Sequence, residues 1–184
     1  MANFLYVDNS NVWIEGMHVA AVRSGLARDI WDALQRKICD YSWKLDFGRL
    51  YQFAGGEKED VGRAVLYGSR PPANDSLWSI ARSRGFEIVV HDRNVANKEK
   101  KVDTSIAADM ITDSYDLMDP AKDEITLVAG DRDHVPAVEK LRQRGFRVDV
   151  VFWDHASTEL KQVASNFVSL TPHLKLLGLK TEAA

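Results

Sequence analysis

Ile125-Thr126-Leu127-Val128-Ala129-Gly130-Asp131-Arg132-Asp133 is the stretch whose reading decides the fold. Its first half is a short apolar run with β-formers and reads as a buried strand. Its second half is a glycine turn carrying two acids. Beyond it, from His134 to Arg144, Val135, Val138 and Leu141 recur at helical spacing. Two carboxylates therefore sit where a buried strand hands over to a helix, the side on which open α/β sheets bind ligands. Buried acids are costly unless paired or metal-bound, so the turn needs a cation or a partner. The competing reading is that Asp131 or Asp133 only caps the helix.

Working outward, the same punctuation recurs. Phe4–Val7 is a strand run that ends in Asp8-Asn9-Ser10-Asn11, a cluster of turn and cap residues. Helical spacing follows over 13–23, over 28–41 (Ile30, Leu34, Ile38, Tyr41) and over 46–54 with Asp46 as cap. Residues 63–68 read as a second strand, 69–74 as a loop and 75–84 as a helix stopped by Gly85. A third strand over 86–90 runs into His91, Asp92, Arg93 and Asn94. Residues 95–101 read as a polar loop with Lys98, Lys100 and Lys101, which taken alone is a solvated face. A helix opens at Val102, with Ile106, Ala107, Met110 and Ile111 inward and Asp109, Asp113 and Asp116 reading as solvent-facing. Asp103 stands in the expected first turn, where the helix dipole favours an acid. The last elements are a fifth strand at 147–152 ending before Trp153, Asp154 and His155, a helix from Ser157 to Ala164, a short edge strand at 167–170 and a final short helix from Pro172 to Leu177.

Strands alternating with helices predict an α/β fold with a mostly parallel central sheet of about five strands. Right-handed crossovers bring every strand out on one edge. That edge would collect Asp8, Asn11, Arg70, Asp92, Arg93, Asp131, Asp133, Asp154 and His155. Several carboxylates around one point are tolerable when a divalent cation neutralises them. Oxygen ligands without thiolates suit Mg²⁺ or Mn²⁺ over Zn²⁺, and acid-bound Mg²⁺ commonly meets a phosphate.

The 184 residues are 45% hydrophobic and 28% charged, which fits one soluble domain, expected over 1–178 with a disordered tail at 179–184. A net charge of −3 gives no global basic field, so nucleic acid would be met by a local patch. A single cysteine, Cys39, excludes an intramolecular disulfide. With no signal peptide, a cytoplasmic location is expected. No apolar run is long enough to span a bilayer, so no membrane partner is expected. A homo-oligomer or a protein partner is left open.

Three blocks together resemble a known family. They are the strand ending in Asp8-Asn9-Ser10-Asn11, the run Lys101-Val102-Asp103 continuing to Asp109-Met110, and Val128-Ala129-Gly130-Asp131-Arg132-Asp133-His134-Val135-Pro136 continuing through Lys140-Leu141 and Gly145. The chain looks like the NYN domain (LabA-like) of the PIN-like nuclease superfamily. Ser157, Leu160, Ala164 and Phe167 look like the family's closing helix and strand, so the likeness runs along nearly the whole chain. The resemblance implies a three-layer PIN-like, Rossmann-like fold whose first and fourth strands are neighbours. It implies a ribonuclease that hydrolyses RNA phosphodiester bonds with Mg²⁺ or Mn²⁺. Carried over, Asp8, Asp103 and Asp131 would hold the metal. Asp133 would be the second acid of the glycine turn, and Asn11 would position metal, water or phosphate. Arg70, Lys98, Lys100 and Lys101 would contact the RNA backbone. Two positions depart from the family. Ala129 stands where a Ser or Thr is usual, and His134 where an aromatic, commonly Phe, is usual. His134 itself reads as a helix-start residue with no ligand role.

The alternatives are weaker. An RNA-binding or regulatory module without activity would keep the fold and has no need of every core acid. The Asp-x-Asp turn is similar to that of the Toprim domain, which wants a Glu where Asp8 stands. The phosphatase Asp-x-Asp-x-Thr is absent after the first strand, as is the dinucleotide Gly-x-Gly-x-x-Gly.

Overall fold

The computed structural model describes residues 1–70, 76–92 and 98–179; Arg70, Asp92 and residues 98–100 are described by their backbone only. The strand β1 (Asn3–Asp8) is buried along its whole length. Alternation of side chains along it supplies both halves of the core. Leu5 and Val7 join one hydrophobic cluster, and Phe4 and Tyr6 join the other. A strand covered on both faces carries apolar residues at successive positions, as Phe4–Val7 does.

β1 is the middle of a sheet with β2 (Val61–Arg70), β3 (Glu87–Asp92), β4 (Glu124–Val128), β5 (Arg147–Phe152) and β6 (Asn166–Ser169). The spatial order is β3-β2-β1-β4-β5-β6 and every pairing is parallel. Among the described residues the sheet thus has six strands; the short run near 167–170 lies at one edge. β1 lies between β2 and β4, with Val7 level with Val128 and Asp8 level with Tyr67. Strand order reverses at this point, so a crevice opens at the carboxyl ends of β1 and β4.

Helices cover both faces. α1 (Asn9–Arg23), α3 (Phe47–Gly55), α4 (Ser76–Ser83) and α8 (Leu174–Leu177) contribute to the cluster around Leu5 and Val7. α5 (Lys98–Asp116), α6 (Val135–Gln143) and α7 (Thr158–Val163) contribute to the cluster around Tyr6. Fully burying one such Leu or Phe contributes about 1.5–3 kcal/mol. The short α2 (Ile30–Arg36) packs on α1.

Local chemistry explains where elements differ from expectation. α1 starts immediately after β1, because the Asp8 side chain accepts the Asn11 N–H and caps it. α2 stops at Arg36, short of the expected 41, because Lys37 turns into the left-handed region with φ of 54°. α5 begins at Lys98 rather than Val102, so the three lysines belong to a helix and not to a loop. Lys and Glu are good helix formers without any apolar periodicity to announce them. The solvent-facing reading holds for Asp116 and fails for Asp113, which is buried under α5. Tyr6 Oη donates to Asp113 at 2.6 Å, and Arg63 bridges Asp113 at 2.5 Å and Glu87 at 2.8 Å. Asp109 is half-buried and accepts from Tyr67 Oη at 2.6 Å. The tail expected from 179 lies, beyond Leu179, outside the described residues.

Candidate metal centre

Three elements place the acids. Asp8 ends β1, Asp103 stands on α5, and Asp131 and Asp133 follow β4. Asp8 is 5% exposed. Its Oδ1 accepts the Asn11 N–H at 3.0 Å, so it is both a helix cap and a member of the cluster. Burial pushes its carboxyl up to about 7; the Asn11 N–H opposes the rise, and the charges of Asp103 and Asp131 add to it.

Capping does not account for the other acids. Asp103 is in the second turn of α5, past the helix's unpaired N–H groups. Asp131 precedes the 3-10 turn Arg132–His134 and makes no side-chain cap bond there. Its Oδ2 accepts from Asn11 Nδ2 at 3.1 Å, and Asn11 Oδ1 accepts the Gly130 N–H at 2.9 Å. One amide from α1 therefore fixes the glycine turn and orients its acid. The turn itself needs glycine: a Cβ at Gly130 would lie 2.2 Å from the ring of the buried Phe152. Asp133 is exposed and lines an open groove of about 660 Å³, together with Asp103, Thr104, Arg132 and Glu159.

The ligand atoms that stand closest come from Asp8, Asp103 and His134, all within 4.8 Å of one another. Asp131 is outside this tight group but near enough for its charge to act on Asp8. His134 is fully buried, and neither ring nitrogen has a hydrogen-bond partner. Its Nε2 lies 3.5 Å from Asp103 Oδ1. Burial lowers the imidazole to about 4, with a smaller opposing effect from Asp133, so the ring is neutral at pH 7. A neutral imidazole between two acids, one of them held near neutrality, is a donor set for a divalent cation.

Other polar residues of the expected edge find separate partners. Asp154 is exposed and accepts from Ser169 Oγ at 2.5 Å. His155 Nε2 pairs with Glu15 Oε2 at 2.6 Å. His91 Nε2 pairs with Ser105 Oγ at 2.8 Å. Lys101 is exposed on α5. The side chains of Arg70, Asp92, Lys98 and Lys100, and all of Arg93, lie outside the described residues. Sequence reasoning set His134 aside as a helix-start residue and gave no role to Arg132, Glu15 or Glu159. Glu15 had a signal: it stands one helical turn after Asn11, on the same face.

No helix among the described residues is long and apolar enough to cross a membrane. Among curated proteins the chain has no match. Among solved structures it is similar to a protein of unknown function from Vibrio parahaemolyticus, with 23% identity, a TM-score of 0.65 and 92% of each chain covered. That likeness speaks for the fold alone. The sequence model of the NYN domain matches residues 11–172. With six parallel strands among the described residues, β1 beside β4, and the buried Asp8 and exposed Asp131 at their carboxyl ends, the chain belongs to the NYN domain family, a nuclease-like group of the PIN-like superfamily.

Proposed function

We propose that this NYN domain is a metal-dependent ribonuclease that hydrolyses RNA phosphodiester bonds at the Asp8–Asp103–Asp131 cluster, with Mg²⁺ or Mn²⁺. The observation that carries this reading is the convergence of acids from three separate elements on a buried carboxyl at the sheet's switch point. The donor set fits a hard or borderline divalent ion: carboxylate oxygens, no thiolate, and a site open to a groove. Asp8, Asp103 and Asp131 would hold the ion. A bound ion would supply Lewis-acid stabilisation of the phosphoryl group and an activated water.

The chain's own residues supply placement. Asn11 orients Asp131 through its amide and holds the glycine turn through its carbonyl. Asp133 and Glu159 line the groove, where each is suited to orient a water or to accept a proton. Arg132, exposed on the same wall, and Lys101, exposed on α5, are proposed as phosphate contacts. Lys98, Lys100 and Arg70 are proposed as further backbone contacts. Replacing the three lysines with Ala should flatten the salt dependence of RNA binding by up to about one unit of slope per lost contact.

The test is a labelled RNA incubated with protein and Mn²⁺, Mg²⁺ or EDTA. Cleavage only with an ion is expected, along with loss of cleavage in Asp8→Asn, Asp103→Asn and Asp131→Asn. Undiminished cleavage by these variants, or in EDTA, overturns the assignment. RNA binding with no cleavage in any ion would leave the domain as a binding module.

A further inference from the structure

We propose that His134 is a ligand of the ion itself, which makes the centre a mixed carboxylate–imidazole site that selects Mn²⁺ and Co²⁺ over Mg²⁺. This inference rests on reading the acid cluster as the ion site, and it adds a ligand and a selectivity to that reading.

The first argument is an unsatisfied group. More than nine in ten buried polar groups have a hydrogen-bond partner. His134 is fully buried at the head of α6 and has none on either nitrogen. A buried nitrogen left without a partner keeps its full desolvation cost. Ordinary packing needs no such residue, because an apolar ring would fill the same space without that cost. The ring is explained when one nitrogen has a partner that a protein-only description lacks.

The second argument is distance. His134 Nε2 lies 3.5 Å from Asp103 Oδ1 and makes no hydrogen bond with it. Two ligands each about 2.1 Å from one ion, at right-angled to tetrahedral spacing, lie roughly 3.0–3.4 Å apart. The separation is therefore long for a hydrogen bond and close to that of two groups sharing an ion. Asp8 completes the set, with all three ligand atoms within 4.8 Å. Nε2 is the nitrogen assigned to the ion, because it is the one facing Asp103. Nδ1 has no hydrogen-bond partner, so packing alone orients the ring.

The third argument is chemistry. Mg²⁺ prefers oxygen donors and keeps several of its waters. Imidazole suits first-row transition ions, whose affinity for such sites rises from Mn²⁺ toward Co²⁺. A site that offers two carboxylates and a buried imidazole separates these ions in a way that carboxylates alone do not.

The experiment is calorimetric titration of wild type and His134→Phe with MgCl₂, MnCl₂ and CoCl₂, without RNA. Phe keeps the ring and removes both nitrogens. The variant is expected to fold, to bind Mn²⁺ and Co²⁺ at least about tenfold more weakly, and to bind Mg²⁺ nearly as before. In parallel, ¹⁵N spectra of wild type with Zn²⁺ should move the His134 Nε2 resonance to the position of a metal-bound nitrogen; this arm needs no variant. A Co²⁺-to-Mg²⁺ affinity ratio unchanged by His134→Phe, or an unmoved Nε2 resonance, overturns ligation by His134 while leaving the acid site standing. Wild type that binds no divalent ion overturns both readings.

Discussion

The helix α5 brings one acid to each of two polar clusters, and the clusters differ in one respect. Near its last turn, Asp113 is closed off by Tyr6 and Arg63, and Arg63 is in turn held by Glu87. Burial raises the Tyr6 hydroxyl far above its ordinary range, and the adjoining Asp113 adds to this. Near its first turns, Asp103 faces Asp8 and His134, where a carboxyl is held near neutrality and an imidazole has no hydrogen bond. The same helix, packed on the same sheet face, thus satisfies one acid with protein and brings the other to a set that protein alone leaves unbalanced. A buried acid with an arginine and a tyrosine is a structural tie. Acids gathered around a buried ring without partners mark a place where something else must bind.

The widest separation between the two ends should be in cleavage. Asp103→Asn and Asp131→Asn are expected to lower Mn²⁺-dependent RNA cleavage by about two to three orders of magnitude, since removing one charge-stabilising group commonly costs 10²–10³. Asp113→Ala should cleave at the wild-type rate per folded molecule. Single-turnover rates on one labelled RNA measure all three. A comparable loss in Asp113→Ala would erase the distinction between the two ends.

Stability should show the reverse order. Asp113→Ala leaves Tyr6 Oη buried without an acceptor and takes a carboxylate from Arg63. The expected cost is about 3 kcal/mol. Asp131→Asn removes a charge beside Asp8 and keeps an oxygen for Asn11, so the metal-free variant should be as stable as wild type or slightly more so. Urea unfolding at pH 7 in EDTA compares them. A loss of ~1 kcal/mol in Asp131→Asn would mean that the folded chain stabilises this carboxylate's charge and that it is not crowded by Asp8. A divalent ion at about 100 times its dissociation constant should stabilise wild type by about 2.7 kcal/mol and Asp131→Asn much less.

Sequence patterning reveals one end of α5 far better than the other. Asp8 and Asp131 each follow a short apolar run directly, and parallel alternation brings such strand ends together. Asp103 needed the family likeness, because its role depends on how α5 packs against β1 and brings it to Asp8. Asp113 falls on the same stripe as Val102, Ile106 and Met110; it was misread because an unpaired acid belongs in solvent, and its partners Tyr6 and Arg63 are 107 and 50 residues away. His134 was read as a helix-start residue with no ligand role for a different reason. Its character lies in what it fails to bond, and no spacing rule encodes a missing hydrogen bond.

The subtlest contrast is in pH. Asp8 takes up its proton near pH 7 when folded and near 3.8 when unfolded. Between those values the folded state holds the extra proton, so this group's stabilisation is present at low pH and is lost as pH rises toward 7. His134 behaves oppositely. Its folded value of about 4 lies below its ordinary 6.5, so the unfolded state holds the extra proton and stability rises across that window. From pH 4.5 to 6 the two slopes nearly cancel, and the metal-free wild type should show a flat profile from this pair. Each single variant then tilts it. Asp8→Asn keeps the helix cap, since Asn caps as well as Asp, and removes the falling slope, leaving stability that rises with pH. His134→Phe removes the rising slope and leaves stability that falls. Each tilt should reach up to about 2 kcal/mol over that interval, at 1.36 kcal/mol per pH unit for one proton. Asp113→Ala, at the satisfied end, should lower the curve without tilting it through either of these groups. Urea midpoints of the four proteins in EDTA across pH 4.5–6 decide the matter. Parallel curves for wild type, Asp8→Asn and His134→Phe would show that the two groups titrate normally and that the cluster end of α5 is as well satisfied as the other.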